Sequence, residues 1–116
     1  HLVIGRAGAS TVSELAAAGR PAILIPYRFA MDDHQSANAA AMESDGAAWM
    51  IKEDDFTPES VASRLAGLFA VPDQLETTAA KALAAGHADA AERLADTAEA
   101  IASPANDNSA DKEEAA

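Results

Sequence analysis

The sequence predicts an α/β fold: the carboxyl-terminal part of a Rossmann-like domain, with parallel strands flanked by helices. Three apolar runs, residues 2–4, 22–25 and 47–51, do not alternate with polar residues, which is typical of strands buried on both faces. Alanine-rich helical segments separate the runs, and a strand, a helix and a second strand in one sheet form a right-handed βαβ unit. Three strands are too few to give each one two neighbours, so we expect an incomplete sheet.

Length, charge and composition narrow the class of protein further. The 116 residues suffice for one modest core, and the net charge of −11 argues against binding to nucleic acid or to anionic lipid. The chain lacks cysteine, which suits a cytoplasmic protein, and no apolar run approaches the ~20 residues that span a bilayer. Because the chain opens with His1 and already begins in a strand, we expect a fragment of a longer protein.

The segment 6–14 joins the first strand to the first helix and has the composition of an anion site. A strand that turns directly into a helix leaves the first N–H groups of that helix unpaired. Gly8 and Ala9 allow a phosphate to approach the backbone, while Ser10 and Thr11 add hydroxyl donors at the positive end of the helix dipole. The helix is expected to end at the following glycine, residue 19.

Glu14 has two alternative roles that make different demands on one side chain. Thr11 and Glu14 have the spacing of a capping box, in which each side chain bonds the backbone N–H of the other. Alternatively, the Glu14 carboxylate accepts two hydrogen bonds from the vicinal hydroxyls of a ribose, because its two oxygens match two donors.

The loop over residues 26–35 follows the second strand and should face the same crevice as the first turn. Ligands of open parallel sheets lie beyond the carboxyl ends of the strands, and both loops leave from such ends. Asp32 or Asp33 is a plausible helix N-cap, and Arg28 either reaches a phosphate or lies on the surface.

His34, Gln35 and Asn38 can share one side of the next helix, because they stand within one turn of each other. Imidazole and amide groups both donate and accept hydrogen bonds, as recognition of sugar hydroxyls requires. For His34 the alternative is a solvent-facing side chain. A metal site at residues 32–34 is disfavoured, because consecutive side chains do not converge easily on one ion.

The remaining chain predicts three more helices and a tail. Thr57 should cap a helix that runs to about residue 70, and a second helix should span residues 72–86. A last helix over 88–101 should bury one apolar face, and residues 103–116 should form a disordered acidic tail. The residues expected to point inward are Val61, Leu65, Leu68 and Phe69 in the first of these helices, and Ala91, Leu94, Ala98 and Ile101 in the last.

Taken together, these motifs resemble the carboxyl-terminal part of the MurG family, glycosyltransferase family 28. The resemblance covers residues 1–102 in order. Its matching segments are residues 6–22, 26–27, 32–35, 38–39, 46–48 and 89–94.

The resemblance implies a two-domain GT-B enzyme whose carboxyl-terminal domain binds UDP-N-acetylglucosamine (UDP-GlcNAc). The family transfers N-acetylglucosamine, with inversion, to the undecaprenyl-pyrophosphoryl-MurNAc-pentapeptide (lipid I to lipid II) during peptidoglycan synthesis. The lipid-linked acceptor and the membrane would meet an amino-terminal domain absent from this chain, at the cytoplasmic face of the bacterial inner membrane. No cofactor and no metal are implied.

The resemblance also implies roles for seven residues of this chain. Ala9, Ser10 and Thr11 would hold the diphosphate, Glu14 the ribose, and His34 and Gln35 the sugar hydroxyls, with Asn38 in support. His34 stands where other members carry a second glutamine. The implied binding residues are Ala9, Ser10, Thr11, Glu14, His34, Gln35 and Asn38.

Two alternatives to this assignment stay open at the level of sequence. One is another GT-B protein, either a different UDP-sugar transferase or an epimerase. The other is a nucleotide-binding module without chemistry. No catalytic base is identified among these residues, so the chain alone is expected to be inactive.

Overall fold

The computed structural model describes residues 1–103; apart from Ser103, the predicted tail lies outside them. In this part of the chain, short 3₁₀ turns at Met31–Asp33 and Glu53–Asp55 interrupt the regular elements. In chain order, the strands and α-helices are β1 (Val3–Gly5), α1 (Ala9–Ala17), β2 (Ala22–Leu24), α2 (His34–Ser44), β3 (Ala48–Met50), α3 (Pro58–Ala70), α4 (Asp73–Ala85) and α5 (Ala90–Ala102).

The strands form one parallel sheet in the order β1-β2-β3, which confirms the predicted α/β class and the incomplete sheet. Ala22 pairs with Val3 on one side and with Ala48 on the other. The residues of β2 are fully buried because this strand has a neighbour on each edge and helices on each face. The carboxyl ends of all three strands therefore lie side by side.

Two apolar clusters cover the two faces of the sheet. On one face, α1, α2 and α4 contribute Leu15, Met42 and Ala82 to a cluster that also contains Leu24. On the other face, Leu68 of α3 packs with the side chains of Ile23, Ile25 and Ile51. Small side chains dominate the first cluster, so the helices α1 and α2 lie close to the sheet and set the position of their amino ends.

A glycine ends each of the helices α1 and α2, as predicted for residue 19. Gly19 has a φ of 59°, its N–H bonds the oxygen of Ala16, and the next N–H bonds the oxygen of Leu15. Gly46, with a φ of 70°, ends α2 with the same pair of bonds. This left-handed cap satisfies the last helical carbonyls and turns the chain into the next strand.

The predicted start of α3 is confirmed, but one of its inward residues is not. Thr57 caps the helix, its hydroxyl accepts from the Ser60 N–H at 3.1 Å, and Pro58 takes the first helical position. Leu68 is buried, whereas the Phe69 side chain is 62% exposed. Phe69 is one position beyond the stripe that meets the sheet, so its prediction as an inward residue is wrong.

Two other burial predictions are wrong for a common reason. Val3 and Ile4 of β1 are 37% and 42% exposed, because β1 lies at an edge of the sheet and its faces are only partly covered. Helix α5 buries none of its residues, and Leu94 and Ile101 are 70% and 81% exposed. Apolar patterning identifies a face that avoids water, but burial also requires a partner element.

Within residues 1–103, no helix is both long enough and apolar enough to cross a membrane.

Candidate functional site

Helix α1 begins three residues earlier than a capping box at Thr11 requires. Its N-cap is Gly8, which has extended backbone angles, and Thr11 lies inside the first turn. The first intrahelical bond joins the Val12 N–H to the Gly8 oxygen at 3.0 Å. The N–H groups of Ala9, Ser10 and Thr11 therefore have no intrahelical acceptor and point beyond the end of β1.

The capping-box role of Glu14 is therefore wrong, and its side chain has no hydrogen-bond partner among residues 1–103. Glu14 is the sixth residue of α1 and is exposed. It stands four residues after Ser10 and three after Thr11, so these side chains share one side of the helix. The carboxylate thus lies on the same side of the helix as the hydroxyls of its first turn.

Gln35 joins the two loops that the sequence placed at one crevice. Its Oε1 accepts hydrogen bonds from the Ala7 N–H at 3.3 Å and from the Tyr27 N–H at 3.0 Å. Both partners are donors, so the amide orientation is fixed by the bonds rather than chosen by rotation. The Nε2 group consequently points away from these backbone groups and makes no hydrogen bond within residues 1–103.

Asn38 reinforces the same junction from one turn further along α2. Its Nδ2 donates to the Ala7 oxygen at 3.0 Å. Ala7 is fully buried and carries one bond from each amide side chain, so Gln35 and Asn38 together hold this peptide. The predicted convergence of the two loops is confirmed.

His34 lies beside this junction and is open to solvent. Its side chain is 67% exposed, and its Nε2 lies 3.9 Å from Oδ2 of Asp32. Asp32 and Asp33 both have left-handed backbone angles, with φ of 53° and 54°, which is unusual for residues other than glycine. Asp33 occupies the N-cap position of α2, but its side chain makes no capping bond, so the capping prediction holds for position only. The described residues contain no group of three side chains able to share a metal ion.

A second set of contacts, which the sequence did not indicate, connects the loop after β3 to the loops after β1 and β2. Arg6 donates through Nη2 to Oε1 of Glu53 at 2.7 Å, and through Nη1 to the oxygens of Ile25 and Pro26, each at 3.4 Å. Oε2 of Glu53 accepts from the Arg28 N–H at 3.3 Å. The Arg6 hydrogen bond, followed by the bond from the Arg28 N–H, lowers the pKa of Glu53 below its usual value. No sequence motif marks Glu53, because its partners are 25 and 47 residues away.

Arg28 binds a carboxylate on the neighbouring loop. Its Nη1 lies 2.6 Å from Oδ1 of Asp54, and its guanidinium lies 4.7 Å from the Phe29 ring centre. Tyr27 and Phe29 contact each other edge to face at 5.8 Å, and Arg6 lies 5.4 Å from the Tyr27 ring. The aromatic side chains thus shape the loop.

A cleft of about 420 Å³ opens between the loops after β2 and β3. Arg28, Lys52 and Glu53 are among its lining residues. None of the seven residues predicted to bind the donor lines this cleft. Two of the seven, Gln35 and Asn38, instead bond the backbone of Ala7, which precedes α1.

Comparison with known proteins assigns the family. Residues 1–94 match the model of the glycosyltransferase family 28 C-terminal domain. The chain belongs to this family. Because the matched range extends from β1 into α5, it contains both loops described above.

Members of the family with curated names resemble the chain closely. It is 59% identical over 96 residues to the UDP-N-acetylglucosamine–N-acetylmuramyl-(pentapeptide) pyrophosphoryl-undecaprenol N-acetylglucosamine transferase of Paramagnetospirillum magneticum, covering 83% of this chain and 26% of the relative. The protein of the same name from Rhizobium rhizogenes is 53% identical over 102 residues, covering 88% of this chain and 27% of the relative. The chain therefore spans about a quarter of the length of these relatives.

A solved structure of the family has the same fold. The crystal structure of Acinetobacter baumannii MurG superposes with a TM-score of 0.75 at 36% identity. The match covers 85% of this chain and 30% of the crystallised one. The family relationship thus extends from the sequence to the three-dimensional arrangement of the strands and helices.

Proposed function

We propose that this chain is the UDP-GlcNAc-binding part of an inverting N-acetylglucosaminyltransferase. The enzyme would glycosylate the undecaprenyl-pyrophosphoryl-MurNAc-pentapeptide in peptidoglycan synthesis, at the cytoplasmic face of the bacterial inner membrane. The names of the relatives support the donor and the acceptor. The proposal rests on the hydrogen bonds from the Ala7 and Tyr27 N–H groups to Gln35. They bring an amide suited to binding sugar hydroxyls next to the turn that is suited to binding a phosphate.

The diphosphate would bind at the start of α1. The unpaired N–H groups of Ala9, Ser10 and Thr11 supply donors, and the helix dipole adds favourable potential for an anion. As the glycosidic bond breaks, negative charge grows on the departing UDP. Donors that already point at that position stabilise the charge without rearranging.

The nucleoside and the sugar would extend from this cradle in two directions. Glu14 would accept hydrogen bonds from the ribose hydroxyls, since its carboxylate is exposed and has no partner within residues 1–103. Gln35 would donate from Nε2 to a sugar hydroxyl oxygen, because its Oε1 is already engaged. His34, beside it, would contact a second hydroxyl, and Asn38 would hold Ala7 in place.

The chemistry requires a second domain that supplies the acceptor. The acceptor hydroxyl attacks the anomeric carbon from the face opposite UDP, a new glycosidic bond forms, and the bond to the β-phosphate breaks. A base outside this chain takes the hydroxyl proton. Contact with the membrane would also belong to that domain, in keeping with the acidic charge of this chain.

Titration of UDP and UDP-GlcNAc against the full-length protein tests the proposal. We expect Glu14→Ala to lower the affinity for UDP on the order of 10- to 100-fold, because a charged acceptor of two hydrogen bonds is lost. Isothermal titration calorimetry measures both affinities. Glu59→Ala removes an exposed carboxylate from the first turn of another helix and should leave both affinities unchanged.

Three outcomes would contradict the proposal in different ways. Equal UDP affinity in wild type and Glu14→Ala would remove the ribose role of Glu14. Equal affinity of the wild type for UDP-GlcNAc and UDP-glucose would favour another UDP-sugar enzyme of the same fold. Absence of UDP binding by the wild-type protein would remove the donor site altogether.

A further inference from the structure

We propose that Glu53 is a positioning residue for the donor sugar: it holds the loops after β1 and β2 together so that Gln35 meets the sugar. The inference rests on the proposed function. Neither the sequence motifs nor the donor-site residues include Glu53, which lies on the loop after β3.

The contacts of Glu53 join all three loops at the carboxyl edge of the sheet. One carboxylate oxygen binds the Arg6 guanidinium at 2.7 Å, and the other accepts the Arg28 N–H at 3.3 Å. Arg6 belongs to the loop after β1 and Arg28 to the loop after β2. Arg6 also reaches the carbonyls of Ile25 and Pro26, so its side chain crosses from one loop to the other.

Glu53 and Gln35 hold adjacent residues of the same two loops. Gln35 accepts from the N–H groups of Ala7 and Tyr27, while Glu53 holds their immediate chain neighbours, Arg6 and Arg28. A shift of the β2–α2 loop would therefore move the Tyr27 N–H that orients the Gln35 amide. The position of Nε2 depends on Glu53 through this one shared backbone segment.

The bonding pattern requires a carboxylate. Both contacts of Glu53 are donors, so both of its oxygens must accept. The Arg6 hydrogen bond, followed by the bond from the Arg28 N–H, lowers the pKa of Glu53, so these contacts favour the carboxylate form. A glutamine at this position would present one NH₂ group to a donor and lose one of the two contacts.

Steady-state kinetics of the full-length protein with Glu53→Gln test the inference. We expect the KM for UDP-GlcNAc to rise about fivefold, because one charge-assisted bond is lost and the Gln35 amide is displaced. The Kd for UDP and the kcat should change less than about twofold, since the amino end of α1 is untouched. Asp54→Asn is the matched control: it removes a neighbouring carboxylate whose only side-chain partner within residues 1–103 is the exposed Arg28 guanidinium. The KM, the Kd and the kcat should all stay at wild-type values in this variant.

A second variant keeps the test decisive should Glu53→Gln fail to fold. Arg6→Lys keeps the charge but has no planar fork to bind Glu53 and the loop carbonyls together, so the same rise in KM is expected. Wild-type KM in either folded variant would overturn the inference, as would an equal loss of UDP and UDP-GlcNAc affinity. If the wild type itself does not bind UDP-GlcNAc, the proposed function fails instead.

Discussion

Gln35 connects two loops through a single side-chain atom. Its oxygen accepts from two backbone N–H groups on different loops, and its NH₂ group has no hydrogen-bond partner within residues 1–103. An amide is suited to this division because it carries an acceptor and a donor on one plane. A glutamate could accept the same bonds, but it could not donate.

Gln35→Ala should therefore affect both stability and the binding of UDP-GlcNAc. Two backbone N–H groups lose their acceptor, so we expect the free energy of unfolding to fall by ~1–2 kcal/mol. The affinity for UDP-GlcNAc should fall as well, whereas the affinity for UDP should be spared, because the Nε2 group proposed to donate to a sugar hydroxyl is lost. Urea denaturation measures the first effect and calorimetry the second.

His34→Ala provides the matched comparison for stability. The His34 side chain is 67% exposed and joins no loops, so the free energy of unfolding should change by less than ~0.5 kcal/mol. Equal losses of stability in the two variants would show that the bridge made by Gln35 contributes nothing measurable.

The link between α4 and α5 depends on a close approach of two backbones. A Cβ atom added at Gly86 would lie 2.7 Å from the oxygen and 2.8 Å from the carbonyl carbon of Ala16 in α1. These neighbours are backbone atoms in a buried turn of α1 and have little freedom to move. The absence of a side chain at residue 86 is what lets the end of α4 rest on α1.

Gly86→Ala should consequently lower the free energy of unfolding by about 1–3 kcal/mol, the usual range for overpacking. Gly67→Ala is the matched control, since an added Cβ there meets nothing within 4 Å and the residue lies inside α3. That variant should gain ~0.5–1 kcal/mol, because alanine favours the helix. Chemical denaturation of both variants gives the two values. A neutral Gly86→Ala would mean that α4 can move away from α1 without loss.

Local sequence signals are sufficient to place some helix ends. Thr57 followed by a proline marks the start of α3, and glycines mark the ends of α1 and α2, because each requirement is set by the backbone of a few neighbouring residues. The start of α1 is different. A threonine and a glutamate at capping-box spacing indicated Thr11, yet the backbone enters the helix at Gly8 as it leaves β1.

The molecule as a whole combines a high negative charge with uncovered apolar surface. The net charge is −11, while Val3, Ile4, Leu94 and Ile101 are exposed by 37% to 81%. Charge repulsion and apolar attraction between copies therefore oppose each other.

Self-association of the isolated chain should increase with salt. Raising the ionic strength from about 0.05 M to about 0.5 M shortens the screening length severalfold and weakens the repulsion between copies. Light scattering coupled to size exclusion measures the mass at each salt concentration. The double variant Leu94→Lys with Ile101→Lys should remain monomeric in high salt. A mass that is independent of salt in the wild type would contradict this expectation.

The sequence alone determined the α/β class, the helix ends and the two loops at the carboxyl edge, because each follows from local backbone preference or from the rules of parallel sheets. It could not determine which apolar faces are covered: Val3, Leu94 and Phe69 carry the right residue type, and coverage depends on where other elements lie. Nor could it find Glu53, whose partners are distant in the chain. Only the tertiary structure brings these side chains together, because hydrogen bonds form between neighbours in space and leave no periodic signal in the sequence.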